Sequence, residues 1–600
     1  MGTHSAALYL PFLLTLSLSL SAAQQSLPEA PKPNLPASNA DTVIRSSVRL
    51  VQVSVVVEDK TGKPVTGLKQ EDFILLDEGK PQHIAVFSAP APPLAQPEEQ
   101  AKSRSSLLPA NAFTNRYDLK GQDPPGAVTV VLFDALNTAP QDQSFVRKEV
   151  IHFLETLKPQ DHVAVYGLTS QLIVLHEFTR NSSDLVAAAE RFTPKELAAF
   201  DASTTPEIDL VSLGADPQWA MLQNSLNNAN GIIADQYTQN RVGITVAAMD
   251  AIASHISGIP GRKNLVWISG GLPIQMGMAN IGRATYGGVS GVGDASTANR
   301  LTGSDRTAAK FDELLTEVAD SLNRSNIAMY AIDAKGVVLD PTMDVSSRGP
   351  RLTNQVRDTS VLNAEQDTRD SAKLLADRTG GLAFFGNNDI RSAIRRAVDD
   401  GRYAYNIAFY PDHGVWDGKF RKIKIQAQAK EGLRLRYRSG YYAAPDRTDP
   451  KEVIAQDLHQ AADSPLDATN LSMIITGKTG GADSRTVEFH IGIDPKQLLL
   501  HSSSDRRKGA VDLFFLQRDV SGKSVAAEEQ HLELNLENKQ YEYLSKVAMV
   551  LDRHVTLAPE ATEIRVVLRD AASGSLGSVT VPTTALMAKD ERNAAPTKPN

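Results

Sequence analysis

The residues most able to do chemistry follow one apolar run. Gly126-Ala-Val-Thr-Val-Val-Leu-Phe-Asp134 reads as a strand covered on both faces. It opens into a loop with one carboxylate, one amide and one hydroxyl, at Asp134, Asn137 and Thr138. Ligands of open parallel α/β sheets bind just beyond the carboxyl ends of strands. Asp134 is the first polar side chain past that end, so it is the first candidate for catalysis or binding. A second strand, Leu265-Val-Trp-Ile268, ends at Ser269-Gly-Gly271 and offers another hydroxyl.

Enzyme motifs do not support catalysis there. Ser269 lacks the Gly-x-Ser-x-Gly context of a nucleophile elbow, because Trp267 and Ile268 precede it. There is no His-Glu-x-x-His pair and no Gly-x-x-x-x-Gly-Lys-Ser/Thr phosphate loop. Gly288-Val-Ser-Gly-Val-Gly293 sits inside a Gly-rich loop, not between a strand and a helix. The chain has no cysteine, which excludes disulfides, thiol catalysis and Cys-based zinc sites. A net charge of −8 argues against a general nucleic-acid binder.

The elements that position Asp134 are read from the pattern along 600 residues, enough for roughly three or four domains. Residues 1–23 read as a secretory signal sequence, with a short apolar run closed by Ser21-Ala22-Ala23. No later segment is long and apolar enough to span a bilayer, so the mature chain is expected to be exported to the periplasm or beyond. A linker over 24–44 leads to a small β module over 45–90, too short to bury a core alone and expected to pack on a neighbour. A Pro-rich linker or strap follows over 91–125.

Residues 126–445 alternate strands and helices and then add antiparallel strands. This predicts a doubly wound, mostly parallel sheet. His162–Leu168 and Leu172–Phe178 are expected to form an antiparallel hairpin on it. Thr193 to Asn240 reads as a partly helical insertion, followed by a helix over Val242–Ile256. Ile274 to Asp305 and Lys335 to Asn363 read as loops on the edge that carries Ser269. Arg434, Arg436 and Arg438 share one strand face, expected to be solvated. A polar connection over 446–466 leads to seven short strands over 467–586, the pattern of a β-sandwich. The tail, 587–600, is expected to be disordered.

Several of these landmarks carry a resemblance. Leu132-Phe-Asp134-Ala-Leu-Asn137-Thr138, Gly261-Arg-Lys-Asn-Leu-Val-Trp-Ile-Ser-Gly-Gly271, Tyr330-Ala-Ile-Asp333 and Arg378-Thr-Gly-Gly-Leu-Ala-Phe-Phe385 resemble successive landmarks of a von Willebrand factor A domain. Val57-x-Asp59-x-x-Gly62-x-Pro64 and Arg569–Ser578 resemble the flanks of exported von Willebrand A-related proteins described from acidobacteria. The resemblance implies a Rossmann-like α/β domain that binds ligands and is not an enzyme. It also implies a metal-ion-dependent adhesion site for Mg2+, with the pattern Asp-x-Ser-x-Ser, a Thr on a second loop and a distal Asp.

Carried over by position, Asp134 and Thr138 match the first Asp and the second Ser. Leu136 replaces the first Ser and cannot ligate. Gly243 falls at the Thr position, leaving Thr245 as the nearest hydroxyl, and Ser269 replaces the distal Asp. Asn137 adds an amide oxygen to which the family pattern gives no role. The candidate metal set is therefore Asp134, Asn137, Thr138, Thr245 and Ser269, a degenerate adhesion site. The other reading of Asp134 and Thr138 is that they tie down the loop through backbone hydrogen bonds.

Together these readings predict an exported, non-enzymatic adhesion or protein-binding chain. Its partner would be a protein or a cell-envelope ligand. The alternatives are an envelope spacer with no ligand at that edge, and a serine hydrolase using Ser269.

Overall fold

The computed structural model describes residues 50–90, 108, 111–119, 126–193, 217–271, 314–336, 369–412, 415–428, 432–479, 485–503 and 505–587. The expected signal sequence, the linker over 24–44, the loop from Ile274 to Asp305, most of that from Lys335 to Asn363 and nearly all of the tail lie outside these residues.

In chain order, β1 (Val51–Glu58), β2 (Phe73–Asp77), β3 (Lys80–Gln82) and β4 (Val86–Ser88) come first, then β5 (Ala112–Thr114). The α/β unit runs β6 (Ala127–Asp134), α1 (Pro140–Glu155), β7 (Val163–Leu168), β8 (Leu172–Thr179), α2 (Ser182–Arg191), α3 (Pro217–Ile256) and β9 (Arg262–Ser269). It continues through α4 (314–324), β10 (Ile327–Asp333), α5 (369–379), β11 (Leu382–Phe384) and α6 (Ile390–Arg402).

These strands form a six-stranded sheet in the order β11-β10-β9-β6-β7-β8. Every pairing is parallel except the β7–β8 hairpin. Numbered within the sheet, the order is 3-2-1-4-5-6, a common doubly wound order, and it reverses between β6 and β9. Alternate residues of β6 therefore enter opposite cores. Val128, Val130 and Leu132 pack with α3 residues Ala248, Ile252 and Ile256. Val131 and Phe133 pack with Val146 and Phe153 of α1 and Ile394 of α6. By the same alternation Asp134 turns towards α3.

After α6 come β12 (Ala404–Phe409), β13 (Phe420–Ala427), β14 (Arg434–Arg436) and β15 (Gly440–Tyr442). The strands before the α/β unit do not pair with one another alone. β1 lies between β12 and β14, and β2 between β13 and β3. The two resulting sheets share one core, with Val53, Val55 and Leu75 from one end of the unit and Tyr405, Ile407 and Ile425 from the other. The chain thus leaves this β unit, builds the α/β unit and returns to complete it.

The arginine stripe is not a solvated face. Arg434 is exposed, but Arg436 and Arg438 turn towards the α/β unit. Arg436 donates to Asp400 Oδ2 at 2.6 Å and to Glu58 Oε1 at 3.2 Å. Arg438 is buried and donates to the Asn323 carbonyl at 2.8 Å. Asp400 also accepts from the Tyr330 hydroxyl at 2.7 Å, and that hydroxyl accepts from buried Arg262, the first residue of β9, at 3.0 Å. Period-two alternation reported which side chains share a face, but could not report what covers it.

The C-terminal part opens with α7 (Lys451–Asp463), where the sequence suggested a polar connection. Its Leu458 and Ala462 pack on Phe514, Leu516 and Val567. Then follow β16 (Met473–Thr479), β17 (Thr486–Ile493), β18 (His501–Ser503), β19 (Arg506–Arg518), β20 (Ser524–Glu537), α8 (Asn538–Val547), β21 (Met549–Thr556), β22 (Glu563–Asp570), β23 (Leu576–Pro582) and α9 (Thr583–Met587). One sheet is β21-β17-β16-β5; the other is β18-β19-β22-β23 with β20 on β19. Ile475, Phe489, Phe515, Val566 and Leu568 from the two sheets meet in one core. β5 comes from the stretch expected as a linker, and Asn115 just after it donates to the carbonyls of Ala468 and Leu471.

Two stability outcomes follow. Arg436→Met leaves Asp400 buried without its strongest cation and is expected to cost about 3 kcal/mol in urea unfolding. Asp250, on α3, has its pKa raised to about 6, chiefly by burial, and one of its carboxylate oxygens has no hydrogen-bond partner. The folded chain then holds this proton above the pH at which the unfolded chain releases it, so stability falls as pH rises from about 4 to about 6. Asp250→Asn is expected to raise the thermal midpoint at pH 7.5 and to lose that advantage below pH 4.

Candidate functional site

The five residues singled out in the sequence meet at one place. Asp134 ends β6, Ser269 ends β9, and the two are direct partners in the parallel ladder. They flank the reversal of strand order, where this topology opens a crevice at its carboxyl edge. Asn137 and Thr138 lie in the loop to α1, which starts with Pro140 at its first turn. Thr245 faces them from α3.

Asp134 is fully buried. Its Oδ1 accepts from the Asn137 backbone N–H at 2.9 Å, an Asx-type turn that folds the loop back. Its Oδ2 accepts from Asn137 Nδ2 at 2.8 Å, Trp267 Nε1 at 2.9 Å and Ser269 Oγ at 3.0 Å. Burial pushes the Asp134 carboxyl up from its ordinary pKa, and the hydrogen bonds from Asn137, Ser269 and Trp267 pull it back down.

The neighbouring groups are also engaged. Thr138 Oγ1 donates to the Asp134 carbonyl at 2.5 Å and accepts from the Gly270 N–H at 2.9 Å. A Cβ at Gly270 would lie 3.0 Å from the Asn137 carbonyl oxygen, so the loop crosses the end of β9 in tight contact with it. Gln143 Nε2 holds the loop carbonyls of Ala135 and Thr138 at 3.1 and 2.9 Å. Asn137 Nδ2 also donates to Thr245 Oγ1 at 2.9 Å, and that hydroxyl donates to the Arg241 carbonyl at 2.8 Å. Arg241 is 2% exposed, and its Nε donates to Asn137 Oδ1 at 3.1 Å. Burial lowers the Arg241 pKa, and the charge of Asp134 raises it.

Arg241, Trp267, Gln143 and Gly270 were not singled out from the sequence. Two had a legible signal. Arg241 precedes Thr245 by four residues, and because the helix starts at Pro217 and not at Val242 the two share a face. Trp267 precedes Ser269 by two and shares its strand face.

This arrangement does not fit Mg2+. The ion takes about six oxygens in near-octahedral geometry. Both Asp134 oxygens face N–H or O–H donors, and Trp267 Nε1 can only donate. The amide oxygen of Asn137 and the hydroxyls of Thr138 and Thr245 have partners of their own. Among the described residues, no group of three or more His, Asp or Glu side chains could hold a metal. The Ser269 hydroxyl donates to the Asp134 carboxylate, with the Gly271 carbonyl as its alternative acceptor, and among the described residues no histidine is bonded to it.

No protein-family model matches the chain, and no curated protein matches it. Among solved structures it is similar to an aerotolerance-related membrane protein from Bacteroides fragilis, with 11% identity and a TM-score of 0.22, over 46% of this chain and 98% of that one. The conserved hypothetical protein BatB from Bacteroides thetaiotaomicron gives 11% and 0.20 over the same shares. Three N-terminal domains of the type V pili tip protein Mfa5 from Porphyromonas gingivalis give 9% and 0.22, over 89% and 96%. At scores this low the likenesses decide nothing about this chain.

Trp267→Phe removes one donor to Asp134 and is expected to cost about 1–3 kcal/mol in urea unfolding. In an Asp134→Asn background the same change is expected to cost less.

Proposed function

We propose that the chain is an exported, non-enzymatic adhesion or protein-binding protein. In this reading a von Willebrand A-like α/β domain docks a protein or cell-envelope ligand at the carboxyl edge of its six-stranded sheet. A C-terminal β-sandwich and the shared N-terminal β unit hold that domain. Export rests on the signal-like residues 1–23. Among the described residues no helix is long and apolar enough to cross a membrane.

The observation that carries the reading is the unlike treatment of the two sheet edges. At the amino edge, Arg262 bonds to the Ser54 carbonyl of β1, and Arg436 joins Glu58 to Asp400, so the β unit is seated there. At the carboxyl edge, Gln141, Asn387, Asn388 and Asp389 are exposed. Gly271, just after β9, and Gly336, just after β10, also lie at that edge.

The absence of cysteine makes the test direct, because one introduced thiol is the only one in the chain. Gln141→Cys, at the carboxyl edge, and Gln160→Cys, at the amino edge, are labelled with a photo-crosslinker and exposed to envelope extract. A saturable adduct from position 141 and none from 160 is expected. Equal adducts, or none at either position, would favour the spacer reading.

A further inference from the structure

We infer that the guanidinium of Arg241 is the resident cation of the loop after β6, closing the Asp134 site with an internal charge pair where the sequence suggested Mg2+. The assignment goes beyond the binding reading and stands whether or not a partner docks at this edge.

Three observations carry it. First, Arg241 and Asp134 are both buried, and both bond to the Asn137 amide. A guanidinium stays charged in proteins and has only donors to offer, so it needs acceptors when taken out of water. The charge of Asp134 raises the guanidinium's pKa against the lowering caused by burial.

Second, Asn137 joins the two. Its Oδ1 accepts from Arg241 Nε at 3.1 Å, and its Nδ2 donates to Asp134 Oδ2 at 2.8 Å. The amide thus relays the guanidinium's polarity onto the carboxylate. Asn137 is the residue to which the adhesion pattern assigns no ligand role, and this geometry gives it one.

Third, the remaining donors are incompatible with a competing ion. A divalent cation on Asp134 would have to displace Trp267 Nε1–H or Ser269 Oγ–H and sit beside a buried positive charge. Either change leaves a buried donor or a like-charge contact uncompensated. Where the resemblance implies a second carboxylate, this site has Ser269, together with a buried cation on α3.

The test uses the full chain. Thermal unfolding of the unaltered protein is followed in millimolar Mg2+, in Mn2+ and in chelator. A bound ion must raise the midpoint by mass action. The expected result is the same midpoint in all three. A rise with either ion that chelator reverses and Asp134→Asn abolishes would overturn the assignment.

The second arm is a cycle of Arg241→Met, Asp134→Asn and the double variant. Each single change strands one buried charge or donor set. The expected result is a double variant that melts above Arg241→Met alone. Losses that simply add would show no coupling and overturn the pairing. If Arg241→Met does not fold and the double variant does, the pairing is supported. If neither folds, the metal titration of the unaltered chain decides.

Discussion

A carboxylate with no solvent exposure is the constraint on which this site is built. Burying a charge at Asp134 costs several kcal/mol unless donors and an opposite charge compensate. Compensation comes from Asn137 in the loop that follows and from two elements distant in sequence: Trp267 and Ser269 from β9, and Arg241 from α3. Satisfying one side chain therefore fixes the position of the central strand, its parallel neighbour and the helix above them. Thr138 and Gln143 extend the arrangement by holding the loop's backbone against β9 and α1. Asp134 and Thr138 also hold the loop through hydrogen bonds to its backbone.

The same sheet is treated differently at its two ends. Its amino edge carries a buried polar chain from Arg262 through Tyr330 and Asp400 to Arg436, and this chain seats a β unit made from both sides of the domain. The C-terminal unit is tied on elsewhere. Thr469 donates its N–H to the Ser254 carbonyl and accepts from Gly258, and His255 bonds to the Asp467 carbonyl near the end of α3. Neither attachment uses the carboxyl ends of β6 and β9. In our proposal that edge is where a partner docks, and the closed charge pair means that docking requires no metal bridge.

Much of this was legible in the sequence because it was local. The strand before Asp134, the hairpin at Thr169, the alternation to Gly401 and seven C-terminal strands follow from periodicity and turn residues. What was not legible depends on long-range pairing. Nothing in Val48 to Val57 announces that β1 will lie between strands drawn from beyond residue 403. The arginine stripe could not report that Asp400 and Asn323 wait opposite it. The helix Lys451–Asp463 was hidden by its charges, since its apolar side rests on Leu458, Ala461 and Ala462. The five residues singled out in the sequence lie together in the structure. Their chemistry was not legible, because it depends on an arginine more than 100 positions from Asn137.

The indole N–H of Trp267 reports on the central claim directly. The chain has three tryptophans, so a spectrum of 15N-Trp-labelled protein is short enough to assign with Trp267→Phe. A closed Asp134–Arg241 site predicts a downfield, slowly exchanging indole proton for Trp267 that millimolar Mg2+ does not move. A Trp267 signal that shifts or begins to exchange as Mg2+ is added would contradict it.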